Sequence, residues 1–155
     1  MIFNVEGHVF NATQRVIAHG CDCQGNAFLS SRAFKQRWPQ VYEAYRETCN
    51  TSWFTPGSCL LAPSGDGKII ATLGIQRDTR STFDPDILFH IRSSLARLRT
   101  HLELLRINEV AMSRLGDGLS GLTWAGDILP VVDEVFADNI CKIKVYVYSN
   151  KYFRR

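Results

Sequence analysis

Long apolar runs and a strong net charge are missing from this chain of 155 residues. No stretch is apolar for long enough to cross a bilayer, so we expect no membrane partner. The N-terminus lacks a basic region followed by an apolar segment; with no secretory signal visible, a cytoplasmic protein is expected. The formal charge of +3 permits an anionic ligand and is no direct evidence for nucleic-acid binding. The five cysteines are an odd number, typical of reduced thiols in a cytosol-like compartment.

Repeats, low-complexity segments and linkers are also absent, and this length suits one domain with a full core. Strands are predicted at Ile2–Val5, Arg15–Cys21, Cys59–Ala62, Lys68–Ile75, Glu109–Leu115 and Ile143–Tyr148. Helices are predicted at Ser30–Trp38, Gln40–Cys49, Pro85–Arg106 and after a capping residue, Thr123. Strands and helices in alternation predict an α/β fold, in which a mixed sheet carries helices on both faces.

A glycine-rich stretch, MSRLGDGLSGLTW, joins the predicted strand Glu109–Leu115 to the last predicted helix. In α/β folds, ligands bind beyond the carboxyl ends of the strands, where backbone amides and a helix N-terminus can hold an anion. Glycine suits such a cradle because a side chain would keep a phosphate away from the backbone. The alternative is a long turn that needs positive φ angles, and the glycines alone leave both interpretations open.

The stretch RVIAHGCDCQG is predicted to be a strand that runs into a glycine. Alternation along a strand would place His19, Cys21 and Cys23 on one side and Asp22 and Gln24 on the other. The first three have the side chains of a zinc site, although no fourth ligand is evident and a flat strand would spread the donors apart. Nucleophilic catalysis by either cysteine is a second possibility. We favour a third, in which both cysteines are small buried residues.

Six stretches together resemble the macro domain family, which binds ADP-ribose: VEGHVF, IAHGCDCQG, AFKQRWPQVYEAY, ATLGIQ, RLGDGLSGLTWAGDILPVVDEVF and KVYVYS. Their order and spacing carry the resemblance, which covers most of the chain. ATLGIQ is similar to a strand of the branch that resembles ADP-ribose 1''-phosphate phosphatases. The resemblance implies a single three-layer α/β/α macro-like domain over 1–155 with a central mixed sheet. It also implies a cleft for ADP-ribose or a related nucleotide, with no cofactor and no metal.

The resemblance also implies the ligand-binding residues. In the second ligand loop the family pattern is carried over to the cradle of the diphosphate and distal ribose: Gly116, Gly118, Leu119, Ser120, Gly121 and Leu122. In the first turn and first loop it is carried over to His8, Val9, Gln24, Gly25 and Phe28.

Two of these positions, His8 in the first turn and Phe28 in the first loop, depart from the family pattern. His8 stands where the family has an aspartate that accepts a hydrogen bond from the adenine amino group. A neutral imidazole can accept through one nitrogen, whereas a protonated one cannot accept at all. Phe28 stands with Ala27 and Leu29 where glycines are expected, so it either stacks on the ligand or fills the cleft.

The candidate catalytic residues are Asp22, Asp117 and His19. Asp22 replaces an asparagine of the family near the distal ribose, where a carboxylate can activate a water for hydrolysis of a phosphate ester or a glycosidic bond. Asp117 is a second carboxylate for acid–base work, or else a turn or capping residue. One branch of the family uses a lysine and a second-loop aspartate in a covalent mechanism; Gln76 and Ser120 occupy those positions here and argue against it.

Three functions follow from the resemblance. The first is hydrolysis of ADP-ribose 1''-phosphate or of ADP-ribose attached to a macromolecule. The second is recognition of ADP-ribose, or of another nucleotide, without turnover. The third is a diverged fold whose cleft is closed by Phe28 and which contacts proteins instead.

Overall fold

The computed structural model describes residues 1–26, 31–78 and 83–148 and contains one six-stranded sheet. The strand order is β1-β6-β5-β2-β4-β3; β3 is antiparallel to β4, and the other neighbouring pairs are parallel. The strands are β1 (Ile2–Glu6), β2 (Val16–Asp22), β3 (Cys59–Pro63), β4 (Ile69–Gln76), β5 (Glu109–Met112) and β6 (Lys142–Val147). All six predicted strands are therefore confirmed, although the fifth ends three residues earlier than predicted because the glycine-rich loop begins there.

Within the described residues the α-helices are α1 (Ser31–Arg37), α2 (Pro39–Asn50), α3 (Ile87–Leu104) and α4 (Leu129–Val135). Pro39 occupies the first turn of α2, where its missing N–H leaves no hydrogen bond unmade. A turn at Trp124–Ile128 leads into α4, and its cap is Thr123, whose side-chain oxygen accepts from the amide of Gly126. The predicted helix positions are confirmed, although the predicted helix Pro85–Arg106 extends past α3: Leu105, part of its apolar pattern, lies beyond the last turn and is 47% exposed.

The two faces of the sheet carry separate apolar cores. Alternate residues of β2 explain the division, because Val16 and Ala18 pack beneath α3 and α4 while Ile17 and Cys21 pack beneath α1 and α2. Helices therefore cover both faces of a mixed sheet. This arrangement confirms the three-layer α/β/α fold that the resemblance implied.

The carboxyl ends of β1, β6, β5, β2 and β4 lie along one edge of the sheet because these strands are parallel. The segments that leave this edge include residues 7–11, 23–26 and 113–123. The motifs singled out in the sequence thus come together at the edge where α/β folds bind ligands. None of the described helices combines the length and the apolar character needed to cross a membrane.

Candidate ligand-binding cleft

A pocket of about 180 Å³ lies at this edge. Its walls come from the ends of four neighbouring strands and are largely aromatic. The lining residues are Gly7, His8, Val9, Phe10, His19, Gly20, Ser113, Tyr146 and Tyr148. The structure therefore brings together three of the candidate residues, His8, Val9 and His19.

His8 is held in place at the mouth of this pocket by its own turn. Its Nδ1 atom accepts a hydrogen bond of 3.1 Å from the backbone amide of Phe10. Its ring centroid lies 4.9 Å from that of Phe10 and 5.7 Å from that of Tyr148, the latter in an edge-to-face arrangement. The Nδ1 atom, which is the acceptor of this imidazole, is thus already bonded to the backbone and is not available to accept from adenine.

His19 lines the pocket but is almost fully enclosed, since it is only 3% exposed. Its ring centroid lies 4.4 Å from that of Phe34, and its Nε2 atom is 3.0 Å from the hydroxyl oxygen of Thr72. Burial lowers the pKa of His19 from 6.5 to about 3. A nitrogen with so low a pKa takes up a proton poorly near neutral pH. The low pKa therefore argues against His19 as a general base.

The buried imidazole of His19 makes the free energy of unfolding depend on pH. In the unfolded chain it binds a proton below about pH 6.5, whereas in the folded protein it stays neutral down to about pH 3. The stability should therefore fall as the pH is lowered through this window, by about 1.4 kcal/mol per pH unit from this residue. Urea unfolding of the parent and of His19→Gln at several pH values measures this dependence of stability on pH. If the free energy of unfolding changes with pH equally in both proteins, His19 is not a buried neutral imidazole.

Asp22 lies at a register shift at the end of β2. Cys21 pairs with Gly74 of β4, but Asp22 pairs with Gln76, so one residue of β4 is skipped. At this shift the Asp22 carboxylate accepts a hydrogen bond from Tyr45 of α2, on the side where Cys21 packs. The expectation that Asp22 and Cys21 face opposite sides of the sheet is therefore wrong.

The carboxylate of Asp22 is completely buried and organises the turn that follows it. Its Oδ1 atom accepts from the backbone amides of Gln24 at 3.2 Å and Asn26 at 3.0 Å, and from the hydroxyl of Tyr45. The same hydroxyl lies 3.0 Å from the Asp22 carbonyl oxygen. Asp22 thus fixes the backbone that leads into the first ligand loop, in addition to any catalytic role.

The cysteines near Asp22 are thiols rather than thiolates. Burial, reinforced by the charge of Asp22, raises the pKa of the Cys21 thiol well above its ordinary value. Burial also raises the pKa of Cys23 to about 12 and that of Cys49 to about 11. Because a thiolate is the nucleophile and the metal ligand, these values favour buried structural cysteines. In residues 1–26, 31–78 and 83–148, no group of three or more His, Cys, Asp or Glu side chains is placed to hold a metal ion.

The first ligand loop is described in part. Gly25 has a φ of +88° and its carbonyl oxygen accepts from the hydroxyl of Tyr42 at 3.2 Å, while the neighbouring Gln24 is exposed. Phe28 lies outside the described residues, so the hypothesis that it closes the cleft stays a prediction. Gln76 is buried at the end of β4, opposite Asp22.

The glycines of the second loop serve two different purposes. At Gly116, a Cβ atom would lie 2.8 Å from Cδ1 of Ile91, so this glycine lets the loop pack against α3. At Gly118 and Gly121, a Cβ atom would meet nothing within 4 Å, and φ is +83° and +76°. These two glycines leave the outer side of the loop open for close approach to the backbone.

This difference between the glycines is measurable. Gly116→Ala should lower the free energy of unfolding by roughly 2 kcal/mol or more, because it adds a clash in the core to the strain of a positive φ. Gly118→Ala should cost only the strain, about 1 kcal/mol. Denaturant unfolding of both variants tests this, and equal losses would mean that Gly116 is not a packing glycine.

Hydrogen bonds within the second loop hold it in one conformation. The amide of Gly118 donates to the Leu122 carbonyl oxygen at 2.9 Å, and that of Leu119 donates to the Gly116 carbonyl oxygen at 3.1 Å. The Asp117 carboxylate accepts from the backbone amide of Trp124 at 2.9 Å. Asp117 therefore has the turn role that the sequence analysis kept as an alternative to catalysis.

Ser120 connects the second loop to the segment before α3. Its hydroxyl oxygen accepts from the amide of Asp84 at 2.7 Å, and its own φ is +51°. This contact stabilises the left-handed conformation of a non-glycine residue in the second loop.

Sequence reasoning missed three tyrosines of this region. Tyr45 bonds Asp22 from α2, and Tyr146 and Tyr148 form part of the pocket wall. The sequence did contain a signal for the last two, because alternation along KVYVYS places both on one side of the predicted strand Ile143–Tyr148. No signal pointed to Tyr45, whose contact spans 23 positions and depends on how α2 crosses the sheet.

The macrodomain of Mycobacterium tuberculosis DarG superimposes on this chain with a TM-score of 0.84 and 25% identity, over 96% of this chain and 99% of that one. The chain has the macrodomain fold. A structure of Thermosipho africanus DarTG in complex with ADP-ribose has a TM-score of 0.78 and 17% identity, over 99% of this chain and 42% of that one.

Among curated proteins, this chain is 28% identical over 128 residues to the DNA ADP-ribosyl glycohydrolase of Mycobacterium tuberculosis. The match covers 80% of this chain and 36% of that protein, so the chain spans about a third of its curated relative. No protein-family profile matches this chain.

Proposed function

We propose that this chain binds ADP-ribose at the carboxyl edge of its sheet and releases it by hydrolysis from DNA that carries it. The observation that carries the proposal is the pairing of an aromatic-walled pocket at His8 with a second loop whose outer glycines are open. A planar base fits the first and a diphosphate fits the backbone of the second. The DNA substrate is taken from the name of the curated relative.

Asp22 is the proposed general base. In the reaction, water attacks the anomeric carbon of the distal ribose, the bond from that carbon to the modified base breaks, and the leaving base takes up a proton. Asp22 would accept the proton of the attacking water. Its buried position beside Gln76 supports a role at the ends of β2 and β4, and its bonds to Gln24 and Asn26 would hold it in a fixed orientation.

Recognition without turnover is the second candidate. Specific observations favour it: Asp117 is bonded within its loop, His19 is buried and neutral, and Gln76 stands where one branch of the family has lysine. Of the three candidate catalytic residues, Asp22 then remains as the one to test.

A paired binding and turnover experiment decides between the two. ADP-ribose is titrated calorimetrically, and release of ADP-ribose is followed from modified DNA, from modified protein and from ADP-ribose 1''-phosphate as inorganic phosphate. Binding together with release from DNA would support the first proposal. Binding without release from any of the three would support recognition alone, and absence of binding would contradict both.

A further inference from the structure

We propose that His8 reads the nucleobase as a hydrogen-bond donor, so that a purine with a 6-oxo group binds in preference to one with a 6-amino group. The inference rests on the proposed function, because it concerns which base the aromatic pocket accepts. His8 would then donate a hydrogen bond to the base, whereas a carboxylate at this position could only accept one from it.

The proton on the His8 ring can be located from the backbone. A peptide N–H can only donate, and the amide of Phe10 donates to Nδ1 over 3.1 Å. Nδ1 therefore carries no proton, and in a neutral imidazole the proton must be on Nε2. The nitrogen that remains for a ligand is a donor, not an acceptor.

The contacts around the ring hold it in this orientation. Phe10 is buried and packs against His8. Tyr148, which follows β6, contacts the His8 ring edge-to-face. A flip of the ring would take Nδ1 away from the Phe10 amide and leave that amide without its acceptor. The donor orientation is thus the one that the surrounding contacts stabilise.

The other polar side chains of the pocket do not discriminate between the two bases. The hydroxyl of Tyr146 donates to Oε1 of Gln14 at 2.7 Å and is already engaged. The hydroxyls of Ser113 and Tyr148 can each donate or accept, so they match either a carbonyl or an amino group. His19 also lines the pocket, but its Nε2 atom lies 3.0 Å from the Thr72 hydroxyl oxygen and its Nδ1 atom 3.6 Å from the Cys21 sulfur, so both nitrogens are engaged. Among the side chains of the described pocket, His8 therefore offers the ligand a donor whose role is fixed.

The test compares ADP-ribose with inosine diphosphate ribose, which differs at the purine ring by a 6-oxo group and a protonated N1. We expect the parent to bind the 6-oxo ligand about ten-fold more tightly, because the donor meets an acceptor instead of another donor. His8→Asp should reverse the preference by a similar factor, since a carboxylate only accepts. His8→Phe keeps an aromatic ring without hydrogen-bonding atoms and should bind the two ligands within about two-fold of each other.

The outcomes separate this inference from the proposed function. If the parent binds neither ligand, the proposed function fails and the inference with it. If the parent binds both and His8→Asp leaves their affinity ratio unchanged, His8 does not read the base and the inference is overturned while the proposed function stands. Thermal melts of the variants, read with and without the tighter ligand, confirm that each measured affinity belongs to folded protein.

Discussion

Gly118→Glu and Gly121→Glu should each abolish binding of ADP-ribose. Both positions have open space beside them, so a glutamate side chain can extend from the outer side of the loop without displacing the core. A carboxylate about 4 Å from a phosphate charge costs roughly 4 kcal/mol at the effective dielectric of a protein surface. That energy corresponds to a loss of affinity of about a thousand-fold. Calorimetric titration measures the loss.

The hairpin between β3 and β4 offers a matched control for these variants. Gly67 also has a positive φ, +94°, and open space where a Cβ would be, but it lies at the opposite end of β4 from the cleft. Gly67→Glu should therefore carry the same backbone strain and the same added charge while leaving affinity within about two-fold. Parent-like affinity in Gly118→Glu, or an equal loss in Gly67→Glu, would remove the second loop from the binding site.

Asp22→Asn should reduce turnover by roughly a hundred- to ten-thousand-fold if the carboxylate is the general base. The asparagine keeps an oxygen for the amides of Gln24 and Asn26, so the turn that they form should persist. Affinity for ADP-ribose should then change little while the rate falls. Single-turnover release of ADP-ribose from modified DNA, together with titration of the free ligand, separates the two quantities.

Tyr45→Phe is the control that separates catalysis from support of the turn. It removes the hydroxyl bonded to Asp22 and leaves the carboxylate charge in place. The loss of that hydrogen bond should lower the free energy of unfolding by about 1 to 3 kcal/mol. A positioning role alone predicts that Asp22→Asn and Tyr45→Phe weaken binding and turnover to a similar extent. A large fall in rate confined to Asp22→Asn identifies the base.

The fold was largely predictable from the sequence because its elements are marked locally. Pro39 and Thr123 mark the starts of helical segments, and Ile91 and Leu98 belong to a stripe that defines one face of α3. The exception, Leu105, continued the periodic pattern past the last turn of α3. Periodicity predicts a face but does not show where the hydrogen-bonded helix ends.

The site was predictable in its location and less so in its details. Its glycines follow strand ends, which is enough to place them at one edge of the sheet. Whether Gly116 serves the core or the ligand depends on Ile91, which is 25 positions away along the chain. The role of His8 depends on which of its nitrogens the Phe10 amide reaches. Long-range packing and side-chain rotation of this kind leave no pattern in a single sequence.

The register shift at the end of β2, where one residue of β4 is skipped, indicates where residues can be inserted into or removed from this chain. A strand alternates its side chains between two faces, so removing one residue within Val16–Cys21 would exchange the two apolar cores along β2. Asp22, the last residue of β2, still pairs with Gln76 of β4 beyond this shift and is bonded to Tyr45. Insertions and deletions after Asn26 therefore leave the alternation of β2 intact. Loop libraries aimed at new ligands should therefore vary the length of that segment and keep β2 at constant length.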